Sequence, residues 1–169
     1  MNRLRGYSLW LDPADPAQSF FSGLIRSLSS AFQTPVFEPH VTLAGQILLP
    51  EKEVLSKAKA LSAGLKPCEL TFEGCETSAA YFKALFLARP QPMAWLRAAR
   101  DMAVKLFQMP DASYDPHLSL AYGEGIEFKE KFPALKFPVR VPIESLSVMK
   151  TEGPVPEWKP TGRYLLGEA

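Results

Sequence analysis

The sequence predicts an α+β fold with two similar lobes related by a pseudo-two-fold axis, in which antiparallel sheets line a central cleft and helices pack on the outside. Three observations favour this architecture: amphipathic helical segments alternate with short apolar strands, neighbouring strands are close enough to form hairpins, and one motif occurs twice. The motif copies occupy residues 38–45 and 115–123. We therefore expect residues 1–169 to form a single domain in which each lobe contributes one copy.

The composition is that of an ordinary globular protein, with 47% hydrophobic and 22% charged residues. A net charge of +1 argues against a protein that coats nucleic acid, but it leaves a small anionic ligand or one end of an RNA open. No apolar segment near the N-terminus is long enough for a signal sequence or a membrane span. We therefore expect a cytoplasmic monomer with no membrane partner. The two cysteines, Cys68 and Cys75, have neither metal-ligand nor disulfide-framework spacing.

The first half of the chain is predicted to contain two strands and two helices in alternation. Residues 7–11 are aromatic and apolar, as in a strand. Asp15 and Pro16 then cap and open a helix. Its predicted core positions are Phe20, Phe21, Leu24, Leu28 and Phe32. The first motif copy lies in a strand over residues 36–47, and a second helix follows over about residues 51–65.

The second half is predicted to begin with an antiparallel hairpin. Its strands are a half-buried one over residues 68–74 and a more central one over residues 81–88. A third helix follows Pro92 and leads, through a loop, to the second motif copy. The predicted core positions of this helix are Trp95, Met102 and Leu106.

The last part of the chain is less regular. An irregular stretch around residues 129–131 precedes a strand over residues 139–148. The apolar positions of this strand change parity near Glu144, which predicts a bulge or bend there. A polar loop over residues 150–161 then leads to a closing strand over residues 163–166.

The two motif copies hold both histidines of the protein. In each copy an acidic residue and a proline precede the histidine, and a hydroxyl residue follows two positions after it. Because alternate side chains of a strand point to the same face, His40 shares a face with Thr42, and His117 shares one with Ser119. The apolar residues between them point to the core. If the two lobes face each other, two imidazoles and two hydroxyls meet in one cleft.

This arrangement suits acid–base chemistry on a phosphodiester. Two imidazoles across a cleft can act as general base and general acid near neutral pH, one activating water and the other protonating the leaving oxygen. Thr42 and Ser119 would donate hydrogen bonds to a non-bridging phosphate oxygen. No cofactor or metal is expected, because two histidines, two hydroxyls and two unrelated cysteines do not supply the ligands of a zinc site. A single buried histidine is usually a core residue, whereas two in matching contexts favour a functional site.

Several segments are similar to those of one known family. They are residues 7–10, 37–42, 81–82, 116–122 and 150–151, together with Trp158. On these residues the chain resembles the 2H phosphoesterase superfamily, and within it the cyclic phosphodiesterase group of plants and yeast. The resemblance implies a bilobal fold and metal-independent opening of a cyclic phosphate. The implied substrates are nucleoside 2′,3′-cyclic phosphates, opened to 2′-phosphates, and ADP-ribose 1″,2″-cyclic phosphate.

The resemblance also implies roles for the motif residues. His40 and His117 become the acid–base pair, and Thr42 and Ser119 hold the phosphate. The sequence does not order the two histidine roles, and we favour His117 as the base and His40 as the acid.

Aromatic residues near the cleft are candidates to stack on a nucleobase, although core packing explains such residues equally well. They are Tyr122 first, and then Trp10, Tyr81, Phe82 and Trp158. Lys150 is a candidate for attracting the phosphate. Two other hypotheses stay open: a 2H enzyme that acts on RNA ends or 2′,5′-phosphodiester linkages, and a module that binds nucleotides without turnover.

Overall fold

The computed structural model describes residues 3–128 and 133–169, so the irregular stretch expected at residues 129–131 lies outside the described residues. The strands are β1 (Tyr7–Pro13), β2 (Val41–Ile47), β3 (Cys68–Thr77), β4 (Leu85–Gln91), β5 (Leu118–Ala121), β6 (Val139–Lys150) and β7 (Lys159–Leu165). The helices are α1 (Ala17–Phe32), α2 (Glu51–Gly64) and α3 (Met93–Phe107), and short 3-10 turns lie at Tyr81–Lys83 and Val155–Glu157.

The seven strands form one sheet in the order β1-β2-β5-β4-β3-β6-β7, and each neighbouring pair is antiparallel. Strand β1 also pairs with β6, which closes six strands into a barrel-like arrangement and leaves β7 beyond β6. The mixed helix and strand content expected from the sequence is confirmed. The strands do not separate into one sheet per lobe, because β1 joins β2 of the first half to β6 of the second. The pseudo-two-fold axis and the cleft between lobes stay predictions.

One face of the central strands builds the core, as the period-two pattern predicts. Positions with no exposed area include Leu9, Leu11, Val41, Leu43, Leu118 and Leu120. The intervening residues of these strands point to the other face. That second face therefore carries Ser8, Trp10 and Asp12 of β1, together with the hydroxyl residues of both motif copies.

Helix α1 packs on the core through one stripe. Its buried residues are Phe21, Ile25 and Leu28. The predicted core position Phe20 is wrong, since this side chain is 55% exposed, and one residue of helix rotates the side chain by about 100° away from Phe21. The N-cap position is Pro16 and not the predicted Asp15, which lies one residue earlier; Asp15 still accepts hydrogen bonds from the backbone N–H and the hydroxyl of Ser19 in the first turn, at 3.1 and 2.6 Å.

Helix α3 buries a different stripe from the one predicted. Its buried residues are Leu96, Ala99, Ala103 and Phe107. The predicted residues Trp95 and Leu106 are half-buried and pack against the edge of the core, whereas the predicted core position Met102 is wrong, since this side chain is 38% exposed. Two alanines on the buried stripe allow the helix axis to approach the sheet closely. Large apolar side chains therefore did not identify the face of α3 that packs on the core.

The sequence predicts one strand over residues 81–88, and this prediction is wrong at its start. The backbone N–H of Lys83 donates to the carbonyl of Ala80 at 2.9 Å, which closes a 3-10 turn before β4 begins. The hydroxyl of Ser78 donates to the carbonyl of Lys83 at 2.6 Å and holds the turn. The turn brings Phe82 towards the face that carries the motif hydroxyls.

The bulge predicted in the last long strand is confirmed. Asp12 pairs with Ser145 and Pro13 pairs with Ile143, so Glu144 is an extra residue on β6. Both cysteines are free. Across residues 3–128 and 133–169, no helix has the length and apolar character needed to cross a membrane.

Candidate active site

A cavity of about 210 Å³ lies where the two motif copies meet β1. Its lining residues are Leu4, Ser8, Trp10, His40, Thr42, Gly45, Gln46, Phe82, His117, Ser119, Tyr122, Thr151 and Trp158. The motif strands β2 and β5 are direct neighbours in the sheet, with Val41 opposite Leu118. Extending this antiparallel register by one residue places His40 across from Ser119 and His117 across from Thr42. Each imidazole thus lies beside the hydroxyl of the other copy.

The residues before each histidine orient its ring. Nδ1 of His40 lies 2.6 Å from the carbonyl oxygen of Glu38, and Nδ1 of His117 lies 2.8 Å from that of Asp115. A carbonyl can only accept, so each Nδ1 carries the proton and donates it. The intervening proline restricts the residue before it to extended conformations, which fixes where this carbonyl points. Both neutral rings therefore keep an unprotonated Nε2, which is the atom free to take up a proton.

His40 is the more buried of the two histidines, at 5% exposure. Its ring stacks on the indole of Trp10, with centroids 3.5 Å apart and planes within 3°. The edge of Phe37 also approaches it, at 6.3 Å between centroids. Burial lowers the pKa of His40 to about 3, the charge of His117 acts in the same direction, and the Glu38 carbonyl opposes them. His40 is therefore neutral in the free protein at neutral pH.

His117 lies nearer to solvent and is half-buried. The edge of Phe86 approaches its ring at 5.5 Å between centroids. Burial lowers the pKa of His117, and the positive charge of Lys83 adds to that effect, whereas the carbonyl and the carboxylate of Asp115 raise it. Lys83 itself forms an ion pair with Asp115. The cation beside the site is thus partly neutralised.

Four serine and threonine hydroxyls line the cavity, besides the phenol of Tyr122. Ser119 donates to the carbonyl of Phe82 at 2.7 Å, so its proton must turn away from that carbonyl before it can reach a ligand. Ser8 and Thr151 lie 3.1 Å apart, oxygen to oxygen, and are 2% and 0% exposed. The fourth hydroxyl is that of Thr42. The cavity therefore combines several hydrogen-bond donors with two neutral imidazoles, an arrangement that can bind and hydrolyse a phosphodiester.

The comparison with protein families agrees with this chemistry. The family described as cyclic phosphodiesterase-like protein matches residues 5–135, which include both histidines. The chain belongs to the cyclic phosphodiesterase-like family. It is a phosphodiesterase of the 2H phosphoesterase type, as the two motif copies predict.

Two curated relatives are similar over most of this phosphodiesterase. The cyclic phosphodiesterase of Arabidopsis thaliana is 30% identical over 125 residues, which cover 74% of this chain and 69% of the relative. The 2′,3′-cyclic-nucleotide 3′-phosphodiesterase of Kluyveromyces lactis is 31% identical over 166 residues, which cover 87% and 76%.

Solved structures share the fold at lower identity. The crystal structure of Escherichia coli LigT in its apo form has a TM-score of 0.66 at 15% identity and covers 98% of this chain and 99% of that one. The protein TT0787 of Thermus thermophilus has a TM-score of 0.62 at 17% identity, with 96% and 98% covered. At these identities the similarity concerns the fold alone.

The aromatic candidates for substrate contact in this phosphodiesterase form one cluster. Tyr122 stacks on Phe37 with centroids 3.6 Å apart and planes within 8°, is 3% exposed, and has its pKa raised by burial. One face of its ring is therefore already covered. Trp10, Phe82 and Trp158 line the cavity with it, whereas Tyr81 lies behind Phe82, at 4.9 Å between centroids, and is not among the lining residues.

Lys150 does not line the cavity of this phosphodiesterase. Its ammonium lies 3.6 Å from the carboxylate of Glu152 in an exposed ion pair. Its predicted role in attracting the phosphate, like the predicted stacking roles, stays a prediction. Within residues 3–128 and 133–169, no three His, Cys, Asp or Glu side chains are grouped so that they could hold a metal ion.

Three further residues of the site were missed by the sequence interpretation. Ser8 and Thr151 meet only because β1 pairs with β6, although Ser8 could have been found from its alternation with Trp10. Gln46 lines the cavity with a φ of +56°, in a bulge where two residues of β2 lie opposite one of β1. Such backbone strain concentrates at functional sites. The neighbouring Gly45 is not a signal of this bulge, because a Cβ added there would meet the Ser8 hydroxyl at an ordinary contact distance of 3.5 Å.

Proposed function

We propose that this phosphodiesterase is a metal-independent cyclic nucleotide phosphodiesterase that opens nucleoside 2′,3′-cyclic phosphates to 2′-phosphates. The observation that carries the proposal is the matched pair of histidines, both tied through Nδ1 to a backbone carbonyl, which leaves both Nε2 atoms for proton transfer. The name of the Kluyveromyces lactis relative supports a substrate of this class. ADP-ribose 1″,2″-cyclic phosphate, the second substrate that the family resemblance implies, presents the same kind of cyclic diester.

The reaction exchanges one bond at phosphorus. Nε2 of His117 takes a proton from water as the water oxygen bonds to phosphorus. The bond between phosphorus and O3′ breaks, and Nε2–H of His40 donates its proton to O3′. The products are the nucleoside 2′-phosphate and a pair of histidines that return to their starting state when a proton passes from His117 to His40 through solvent.

This order of roles requires bound substrate to place the proton on His40. In the free protein burial lowers the pKa of His40 more than that of His117, so a single proton lies mainly on His117, although His40 is the stronger acid once it is protonated. The negative charge of a bound phosphate raises the pKa of a nearby imidazole, and this allows His40 to hold a proton. The indole of Trp10, stacked on the ring, also favours the cation.

Thr42 and Ser119 would hold the phosphate. They lie on the same face as the histidines, one beside each ring, where a hydroxyl can donate to a non-bridging oxygen. Charge grows on that oxygen as water attacks, so the hydrogen bonds strengthen in the transition state. The catalytic cavity, at about 210 Å³, matches a ribose with its cyclic phosphate, which is the reacting group of each cyclic phosphate substrate.

Phosphorus NMR of 2′,3′-cyclic AMP with the purified protein tests the proposal. We expect adenosine 2′-phosphate to form at the same rate with and without a chelator. His40→Ala and His117→Ala should each slow the reaction by about 100-fold or more. Phe20→Ala, which removes an exposed aromatic ring, serves as the control and should leave the rate unchanged.

Other outcomes would contradict the proposal. Turnover that survives in both histidine variants would contradict the acid–base roles of the histidines. Loss of activity with the chelator would contradict a metal-independent mechanism. Faster cleavage of a 2′,5′-linked or cyclic-phosphate-ended oligonucleotide than of the mononucleotide would favour the RNA hypothesis. Nucleotide binding without product between about pH 5 and 8 would favour a binding module.

A further inference from the structure

A second cavity, of about 480 Å³, lies beside the catalytic cavity. Trp10 and Trp158 line both cavities, with their ring centroids 6.0 Å apart and their planes at 63°. Strand β1 runs along both, since Ser8 lines the catalytic cavity and Asp12 lines the second. Alternate residues of a strand share a face, so the two cavities are successive parts of one surface, with Trp10 between them.

The catalytic cavity is too small to enclose a whole nucleotide. Pockets that enclose small ligands measure roughly 300–1,000 Å³, and the catalytic cavity measures about 210 Å³. It matches a ribose with its cyclic phosphate. The base would then need a separate place, and the cluster around Tyr122 offers little room because Phe37 already covers one of its faces.

Asp12 gives the second cavity a buried acceptor. Its side chain is 14% exposed, and Oδ2 accepts hydrogen bonds from Ser145 and Ser147 at 3.1 and 2.6 Å, with Nε of Arg163 3.9 Å away. Among the described residues these contacts all reach Oδ2, which leaves Oδ1 as an acceptor for a ligand. Burial raises the pKa of Asp12 to about 6, so the carboxylate is ionised at pH 8.

Gln18 supplies a second acceptor. Its Nε2 donates to Oε2 of Glu38 at 3.1 Å, which fixes the orientation of the amide, because the reverse orientation would bring two oxygens together. Oε1 of Gln18 is buried and has no hydrogen-bond partner in the described part of the chain. A buried acceptor without a donor is unfavourable, and because Gln18 lines the cavity, a donor on a bound ligand is one way to satisfy this oxygen.

We propose that the second cavity is the nucleobase subsite of the enzyme and that it prefers guanine. The proposal rests on the proposed function. Guanine presents a ring N–H and an amino group side by side, and both require acceptors of the kind that Asp12 and Gln18 carry on the wall of this cavity. Adenine and cytosine place a ring acceptor beside their amino group, and uracil places carbonyls beside its N–H. Apolar rings on the wall, those of Phe37 and Trp158, cover the faces of the base.

The charge of the second cavity distinguishes nucleoside 2′,3′-cyclic phosphates from ADP-ribose 1″,2″-cyclic phosphate as substrates. Asp12 and Glu38 are both carboxylates, and the one cation that lines the cavity among the described residues, Arg163, donates through Nε to Ser145 at 3.0 Å and lies 3.9 Å from Asp12. A diphosphate would place further negative charge beside them. The subsite therefore favours nucleoside 2′,3′-cyclic phosphates over ADP-ribose 1″,2″-cyclic phosphate.

The test compares kcat/KM at about pH 8 for the 2′,3′-cyclic phosphates of guanosine, adenosine, inosine, cytidine and uridine. We expect guanosine to exceed adenosine by about tenfold, with inosine, which lacks the amino group, between them. Asp12→Asn should reduce this preference mainly through the KM for guanosine, and Gln18→Met should reduce it independently. Ser22→Ala is the matched control: its hydroxyl contacts Glu38 but does not line the cavity, so the preference should not change.

Measurements of nucleotide binding test the guanine subsite independently of the proposed hydrolysis. In His40→Ala, calorimetry should show that guanosine 2′-phosphate binds more tightly than adenosine 2′-phosphate, and Asp12→Asn should remove the difference. If this holds but no cyclic phosphate is hydrolysed by the wild-type protein, the subsite stands and the function fails. Turnover of all five substrates with equal kcat/KM, or an equal loss for all of them in Asp12→Asn, would overturn the subsite and leave the function standing.

Discussion

Replacing His40 by glutamine should change how the stability of the folded protein depends on pH. The unfolded imidazole has an ordinary pKa near 6.5, whereas burial lowers the pKa of His40 to about 3. Between these values the unfolded chain binds a proton that the folded protein does not bind. The contribution of neutral His40 to the free energy of unfolding is therefore fully present above pH 6.5 and is lost as pH falls towards 3.

The size of the loss follows from the two pKa values. At about pH 5 the medium lies about 1.5 units below the unfolded pKa, and each unit is worth about 1.4 kcal/mol. The wild-type protein should lose about 2 kcal/mol more than His40→Gln between about pH 7.5 and pH 5. Asp12 acts in the opposite direction, because its raised pKa favours the folded state at low pH, but it is present in both proteins and cancels.

Urea unfolding followed by tryptophan fluorescence at the two pH values measures this difference. His117→Gln is the control, and it should show a smaller change of the same sign because His117 is less buried. An equal pH dependence of stability in wild type and His40→Gln would refute the reasoning, since it would mean that His40 takes up its proton in the folded state.

Three further predictions concern activity and packing. Burial lowers both imidazole pKa values, so the free enzyme with one of its two histidines protonated is populated mainly below pH 6.5. A plot of kcat/KM against pH should therefore be bell-shaped with its maximum below pH 6.5. A rise of kcat/KM up to about pH 8 would contradict the roles of His40 and His117. Ser119→Ala should lower kcat by about 100-fold with little change in the free energy of unfolding. An unchanged kcat would contradict the proposal that Ser119 binds the phosphate. Phe72→Ala should cost about 3–5 kcal/mol in urea unfolding, because the ring is fully buried; a cost below about 1 kcal/mol would mean that the core collapses around the gap.

The motif could be found from the sequence because its information is local. The spacing of His40 and Thr42, repeated at His117 and Ser119, fixes which side chains share a face once the segment is extended. The acidic residue and the proline before each histidine were also visible in the sequence, but the sequence did not show that they orient the imidazole. It is the carbonyl of Glu38, and not its carboxylate, that orients the ring, and a backbone contact leaves no trace in side-chain type.

The contacts that the sequence interpretation missed depend on strand pairing across the whole chain. Nothing near Ser8 indicates that it meets Thr151, because their contact requires β1 to lie beside β6. The same closure of the sheet explains why the strands do not separate into two sheets. On α3 the predicted face lies beside the buried one for a different reason: the stripe of Leu96, Ala99, Ala103 and Phe107 faces the core, and the neighbouring Trp95 and Leu106 pack at its edge.

The pairing of β1 with β6 also has a kinetic consequence. Strand β1 finds one of its two partners only after β6, which ends at Lys150, has been synthesised. Contacts this distant in sequence make folding slow, because a long loop must close before they contribute. Until then the edge of β1 that later faces β6 is an open template for pairing with other chains. Enzyme activity in a nascent or circularly permuted chain would therefore report the moment at which this edge is covered.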